Sequence, residues 1–285
     1  MSLSGKARIA GVVGWPIGHS LSPVLHGYWL AEHGIDGALV PLAIRREDFS
    51  ETIVSLQRAG FRGVNVTVPH KEAAFALAHV CDHAAKAAGA ANLLIFQADG
   101  TIEARNTDML GLMQSVREAM GRLDGKAVVL LGAGGAARGA ILALGELGAA
   151  KIHLLNRHAD KAATLMRAMQ PLVKSKLSAG GFQDWKGAAP AADLLINSTS
   201  AGMAGNPPLA LDLAPLKPSA LVLDIVYNPL ETELLKQAKA RGHKAIDGLG
   251  MLMHQAAPSF EAFFGVKPEV TPGLRARLIE ALAHG

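Results

Sequence analysis

Ala127-Val-Val-Leu-Leu-Gly-Ala-Gly-Gly-Ala-Ala137 is the stretch that decides how this chain folds. Five apolar residues run into a glycine turn, and an alanine-rich segment follows as far as Leu147 and Gly148. A short unbroken apolar run reads as a strand buried on both faces, the kind found in parallel sheets. The turn matches G-x-G-x-x-A in the context that gives the pattern meaning, between a strand and a helix. Gly132 permits the tight bend, Gly134 lets backbone approach a pyrophosphate, and Ala137 keeps helix and strand close. The helix start offers free N–H donors and the positive end of its dipole. Gly132, Ala133, Gly134, Gly135 and Ala136 are therefore the candidate phosphate cradle of a dinucleotide.

The next strand, Lys151 to Leu155, decides which dinucleotide. An NAD site places Asp or Glu at that strand's end to accept from the ribose 2′-hydroxyl. Here the chain reads Asn156-Arg157-His158, with Lys161 close behind and Asp160 too far along to serve. A guanidinium and an ammonium suit a 2′-phosphate, so NADP is the expected cofactor. The plainer reading, that Arg157 and Lys161 are ordinary solvated charges at a helix start, stays open at this point.

Outward from this unit, strand-like and helix-like segments alternate along the whole chain, the mark of an α/β protein. Arg8 to Val13 reads as a strand, and a helix begins with Ser22 as N-cap and Pro23 behind it. Val64 to Val68 alternates strictly, placing Asn65 and Thr67 on one face. Glu72 to Ala88 reads as one alanine-rich helix. Further strands are expected at Ala38–Ala43, Leu93–Phe96, Asp193–Asn197, Leu221–Tyr227 and Lys244–Ile246.

Composition narrows the function classes. The chain has 285 residues, half of them hydrophobic, with a net charge of +4. That is ample for a core and excludes disorder. So weak a positive field, with 5% aromatic residues and no run of basic ones, argues against nucleic acid. The lone cysteine, Cys81, can close no internal disulfide and fits a reducing compartment. No apolar stretch reaches the ~18 residues of a membrane span, and a cytoplasmic location is expected. No metal site is expected, since His19 and His26 have no ligand partner at suitable spacing.

Four polar clusters stand at the ends of strands: His19 to Pro23, Asn65 to Lys71, Asn106-Thr107-Asp108, and Gln255 on the C-terminal helix. In open α/β sheets ligands bind at the carboxyl ends of strands. Ser20, Ser22 and the helix start behind Pro23 suit an anion such as a carboxylate. Hydride delivery to a ketone builds charge on oxygen and needs a proton donor. Lys71, held by the carboxylate of Asp108, can supply it. Each residue also has a plainer reading: Ser22 and Asp108 as helix caps, Lys71 as a surface lysine.

The ordered set Gly14-Trp-Pro-Ile-Gly-His-Ser-Leu-Ser-Pro23, Asn65-Val-Thr-Val-Pro-His-Lys71, Gly89-Ala-Ala-Asn92, Asn106-Thr-Asp108, Gly132 to Ala137, Asn156-Arg157, Asn197-Ser-Thr-Ser-Ala-Gly-Met203, Asp224-Ile-Val-Tyr227 and Gly248 to Gln255 resembles the shikimate dehydrogenase family over nearly the whole chain. The resemblance implies NADPH-dependent reduction of 3-dehydroshikimate to shikimate, a step toward the aromatic amino acids. It implies a Rossmann-type NADP domain, residues 108–244, inserted into an α/β substrate domain made of residues 1–107 and 245–285. Lys71 and Asp108 would be the catalytic pair. Ser20, Ser22 and Tyr227 would hold the substrate carboxylate, and Thr67, Asn92 and Gln255 its hydroxyls. The cradle and Asn156, Arg157, His158 and Lys161 would take the cofactor, with Ile225 and Gly248 near the nicotinamide. The expected partners are these small molecules, and the chain a monomer or homodimer. Leu93, Met109 and His158 depart from the family pattern. The rivals are a quinate-type or other polyol-acid paralogue and a catalytically silent NADP-binding module. The serine pair and the missing acidic residue after the second nucleotide strand oppose the first, and the retained Lys71 and Asp108 oppose the second.

Overall fold

A computed structural model describes residues 3–284. The chain forms two compact units, one running to Asp108 and resuming at Met253, the other Met109–Leu252. Each is built on a six-stranded sheet.

The first unit contains β1 (Arg8–Gly14), β2 (Gly37–Ala43), β3 (Gly63–Val66), β4 (Val80–Cys81), β5 (Leu93–Phe96) and β6 (Ile102–Arg105). Their order is β2-β1-β3-β5-β6-β4. β1 pairs parallel with β2 and β3, whereas β5 runs antiparallel to β3 and β6. The helix Ser22–Glu32 buries Leu25, His26, Trp29 and Leu30, the 3–4 spacing of a single face. Phe49, Ile53, Val64, Val66 and Leu94 share a core with Val13.

Three local expectations are corrected here. Residues 72–88 do not form one helix: Lys71–Leu77 and His83–Ala88 are separate helices with β4 between them. The His79 and Asp82 N–H groups donate to the Ile102 and Ala104 carbonyls, so sheet pairing overrides alanine propensity. Asp82 then caps the second helix, accepting from the Ala85 N–H at 2.6 Å. Ser22 is not an N-cap, because Leu21 holds that position and Ser22 is already helical, with no side-chain cap. Finally, β3 stops at Val66, and Val68 precedes a cis proline, Pro69.

The second unit contains β7 (Ala127–Leu131), β8 (Lys151–Asn156), β9 (Lys176–Gly181), β10 (Leu194–Asn197), β11 (Leu221–Asp224) and β12 (Ala245–Ile246). All pairs are parallel and the order is β9-β8-β7-β10-β11-β12. Counted from β7 this is 3-2-1-4-5-6, the Rossmann order, whose strand sequence reverses between β7 and β10. β10 and β11 are buried throughout, which is why they read as apolar runs rather than alternations. The strand after Asp193 therefore starts one residue later than expected, and the strand from Leu221 ends at Asp224, short of Tyr227. The return to the first unit comes later than residue 245, because β12 pairs with β11 and belongs to this sheet.

Candidate active site and cofactor site

In the first unit, Lys71 opens a helix and Asp108 opens the helix Asp108–Met120. Their side chains meet, Lys71 Nζ donating to Asp108 Oδ2 at 2.5 Å. The lysine side chain is 23% exposed and the aspartate 9%, so the pair sits at the edge of the interior. Lys71 is braced by its neighbours. The buried His70 ring stacks on Phe49 at 4.8 Å, its Nε2 lies 2.7 Å from the Ile44 carbonyl, and the Lys71 carbonyl accepts from the Ala91 N–H.

Asn92 organises the other side of the pair. Its Nδ2 lies 2.9 Å from Asp108 Oδ1, 2.9 Å from Thr107 Oγ1 and 3.1 Å from Gln255 Oε1. Two amide hydrogens are shared among three acceptors, and the Thr107 hydroxyl also reaches Gln255 Oε1 at 3.4 Å. Asn92 Oδ1 in turn accepts from the Thr107 N–H at 2.8 Å, and Asn106 Oδ1 accepts from the Asp108 N–H at 3.1 Å. Lys71, Asn92, Asp108 and Gln255 are thus brought into one hydrogen-bonded net. Each Asp108 oxygen already has a donor, Lys71 Nζ on Oδ2 and Asn92 Nδ2 on Oδ1.

Ser20 and Ser22 come together separately: Ser20 Oγ accepts from the Ser22 N–H at 3.3 Å. Thr67 lies just beyond β3, its N–H donating to the Val13 carbonyl, and Gly14 passes so close that a Cβ there would sit 2.6 Å from Thr67 Cγ2. Asn65 was legible as polar but not as a site residue. It is 6% exposed, and neither amide atom has a partner. Leaving a buried amide without partners costs ~1–3 kcal/mol.

In the second unit, the glycine turn follows β7 at the point where strand order reverses. Gly132 has φ +112°, and a Cβ there would lie 2.8 Å from Ser198 Oγ. Ahead of the helix Gly135–Glu146, positions 134 and 135 have nothing within 4 Å of an added Cβ, so this backbone is open to an anion. Arg157, His158 and Lys161 are exposed at the end of β8, and Asn156 Nδ2 donates to the His158 carbonyl at 3.0 Å to shape the bend. Open amides at a helix start and two solvated cations after β8 fit a phosphorylated dinucleotide. Ile225 and Gly248 touch: a Cβ on Gly248 would collide with the Ile225 carbonyl oxygen. Tyr227 is half-buried in this same unit.

A buried polar knot here is formed by residues to which the sequence pattern assigns no role. Asp224 Oδ1 accepts from Asn197 Nδ2 at 2.9 Å and from the Val226 N–H at 3.0 Å, and Oδ2 accepts from Thr232 Oγ1 at 2.7 Å. Burial pushes the Asp224 carboxyl up from 3.8 to about 6, against the opposing pull of these hydrogen bonds. Polar residues closing apolar strands were the signal available for it.

Among the described residues, no three His, Cys, Asp or Glu side chains gather to hold a metal ion. No helix among them is long and apolar enough to cross a membrane.

Three family models match this chain. They are the shikimate dehydrogenase substrate binding domain over residues 12–94, shikimate / quinate 5-dehydrogenase over 114–207, and the shikimate 5′-dehydrogenase C-terminal domain over 248–276. A shikimate dehydrogenase (NADP(+)) of Rhodospirillum rubrum is 48% identical over 281 residues, covering 97% of this chain and 99% of the relative. A shikimate dehydrogenase solved in complex with NADP+ superposes with a TM-score of 0.89 at 31% identity, covering 99% of this chain and 98% of its own. The Thermus thermophilus shikimate 5-dehydrogenase, solved with NADP(H) and shikimate, gives 0.83 at 31% identity over 97% and 99% of the two chains.

Proposed function

Because the chain belongs to the shikimate dehydrogenase family, we propose that Lys71 and Asp108 are the proton-transfer pair of its NADP-dependent reaction. That reaction is the reversible reduction of 3-dehydroshikimate to shikimate, with the hydride supplied by NADPH. The observation that carries the residue assignment is the 2.5 Å contact of Lys71 with Asp108 inside the net closed by Asn92 and Gln255.

The chemistry follows from that net. As a ketone is reduced, negative charge grows on its oxygen, and an ammonium at that oxygen stabilises the charge and delivers a proton. Asp108 aims the ammonium and keeps a counter-charge beside it. In the oxidative direction the same pair takes the alcohol proton; two groups this close act as a unit. Thr67, Asn92 and Gln255 orient the substrate hydroxyls, and the orphaned amide of Asn65 adds a further donor and acceptor. Ser20 and Ser22 hold the carboxylate at the start of their helix, with Tyr227 a further hydroxyl for it. On the cofactor side, Gly132 to Ala136 take the pyrophosphate and Arg157, aided by Asn156, His158 and Lys161, the 2′-phosphate. Ile225 and Gly248 face the nicotinamide. Apart from Tyr227, the residues assigned to substrate belong to the first unit, and those assigned to NADP belong to the second. A cytoplasmic location and a monomeric or dimeric state belong to the same reading, the former supported by the unpaired Cys81.

The deciding experiment is steady-state oxidation of shikimate and of quinate, each with NADP+ and NAD+, followed by absorbance of the reduced nicotinamide. Shikimate with NADP+ is expected to have the highest kcat/KM. Equal or better turnover of quinate with NAD+ would refute the assignment.

A further inference from the structure

Asp224 is a charged side chain with no surface exposure, and every partner named above is neutral: an amide, a hydroxyl and a backbone N–H. Burying a carboxylate without a cation is costly, and a leucine or asparagine would close β11 more cheaply. What the side chain offers that leucine cannot is several hydrogen-bonding sites pointing outward from one fixed point. Each is used on a different segment. Asn197 ends β10, Val226 lies in the bend after β11, and Thr232 caps the helix Glu233–Ala240.

The knot extends from there to the cofactor turn. Asn197 Oδ1 accepts from Thr199 Oγ1 at 2.7 Å and from the Thr199 N–H at 3.0 Å, while its carbonyl accepts from the Ile225 N–H at 3.1 Å. Next to it, Ser198 Oγ donates to the Leu131 carbonyl at 2.6 Å and occupies the space beside Gly132 that a Cβ would need. On the other side, the Ile225 carbonyl is pressed against Gly248. One carboxylate therefore sits at the junction of the segments bearing Gly132, Ile225, Tyr227 and Gly248.

We propose that Asp224 is a positioning residue that fixes the bend Ile225–Tyr227 against the Gly132 turn, and so sets the seat of the nicotinamide without touching it. This rests on the cofactor assignment above. Misplacing a hydride donor by a fraction of an ångström lowers the rate of transfer more than it lowers affinity. Asp224→Ala removes all three anchors. Asp224→Asn is nearly isosteric: its oxygen can still accept from Asn197 and Val226, and its amide can donate to Thr232 Oγ1 with that hydroxyl's role reversed.

The test compares wild type, Asp224→Ala, Asp224→Asn and Thr232→Val. Three readouts are taken: NADPH affinity by titration of its own fluorescence, kcat for shikimate oxidation, and the primary deuterium isotope effect on kcat. For Asp224→Ala we expect kcat to fall roughly 10- to 100-fold, the scale of lost bonds to a charged acceptor. NADPH affinity should weaken less, and the isotope effect should rise as hydride transfer becomes rate-limiting. Asp224→Asn should restore kcat to within roughly 3-fold of wild type, and Thr232→Val should fall between. If Asp224→Ala does not fold, Thr232→Val decides by the same shift in isotope effect. Wild-type kcat and isotope effect in the folded Ala or Val variant overturn the proposal, as does an Asn variant as damaged as Ala, which would assign the effect to charge. A wild-type chain that binds no NADPH overturns the cofactor assignment itself, and this proposal with it.

Discussion

Replacing His26 with leucine should abolish a loss of stability that the wild-type protein suffers in mild acid. The His26 ring is fully buried beside Trp29 and Phe260, with centroids 6.0 and 5.9 Å away. Its Nδ1 lies 3.0 Å from the Ser22 carbonyl, which only accepts, so that nitrogen carries the proton of the neutral ring. Desolvation lowers the imidazole from 6.5 to about 4, outweighing the bond to Ser22 that would raise it. Between those values the unfolded chain binds a proton that the native chain refuses, so stability falls as pH drops from 6.5 to about 4. At 1.36 kcal/mol per pH unit the interval amounts to about 3 kcal/mol. Asp224 acts in the opposite sense: its carboxyl is raised to about 6, so the native state keeps a proton the unfolded chain has released, and stability falls as pH rises from 3.8 to about 6. The raw wild-type curve therefore mixes two opposed contributions, and the difference between wild type and His26→Leu isolates one. Leucine nearly conserves volume and strands no partner, since the Ser259 hydroxyl keeps the Ala256 carbonyl at 2.8 Å. Urea unfolding of both proteins at pH 7.5, 6, 5 and 4 should show wild type losing about 3 kcal/mol relative to the variant across the series. A difference constant to within about 1 kcal/mol, or one of opposite sign, would refute the reasoning.

Lys71→Ala should lower kcat by roughly 10²- to 10⁴-fold with a smaller change in shikimate KM, because the lysine's proton matters most in the transition state; an unchanged kcat removes it from the mechanism. Arg157→Ala should raise KM for NADP+ by roughly 10- to 100-fold while leaving that for NAD+ nearly unchanged, the size of a charge-assisted bond to phosphate; equal effects on both cofactors would show that it does not read the 2′-phosphate. Gly132→Ala forces a side chain into φ +112° and against Ser198 Oγ. It should cost about 1–3 kcal/mol of stability by thermal unfolding and weaken NADPH binding by fluorescence titration; a variant indistinguishable from wild type in both would mean the turn tolerates a Cβ.

The features legible in the amino-acid order belong to residues whose meaning is local. Ala127–Leu131 is apolar because both faces of its strand are covered, and the glycines that follow are there because backbone must bend or lie open; neither needs a distant partner to be recognised. A capping role for Ser22 and a single helix across 72–88 are local readings too, and there the local physics loses. Alanine propensity amounts to tenths of a kcal/mol per residue, whereas pairing Val80–Cys81 to β6 satisfies backbone groups that would otherwise be orphaned. A cap requires a particular backbone angle, and the chain before Ser22 is already turned into the helix at Leu21.

The class of the fold, the all-parallel second sheet, the glycine turn after its first strand and the ordered set of polar clusters were all legible in the amino-acid order, since glycine, proline and apolar runs act within a few residues of themselves. Which of those clusters come together is settled by packing across the fold. Lys71 and Asp108 meet across 37 residues, and Asn92 and Gln255 across 163. Contacts over such separations are specified by how sheets and helices pack, not by any local pattern. The same holds for His26 and Asp224. Their proton affinities are set by desolvation, a sum over everything packed around a group, which exists only once the chain has closed upon it.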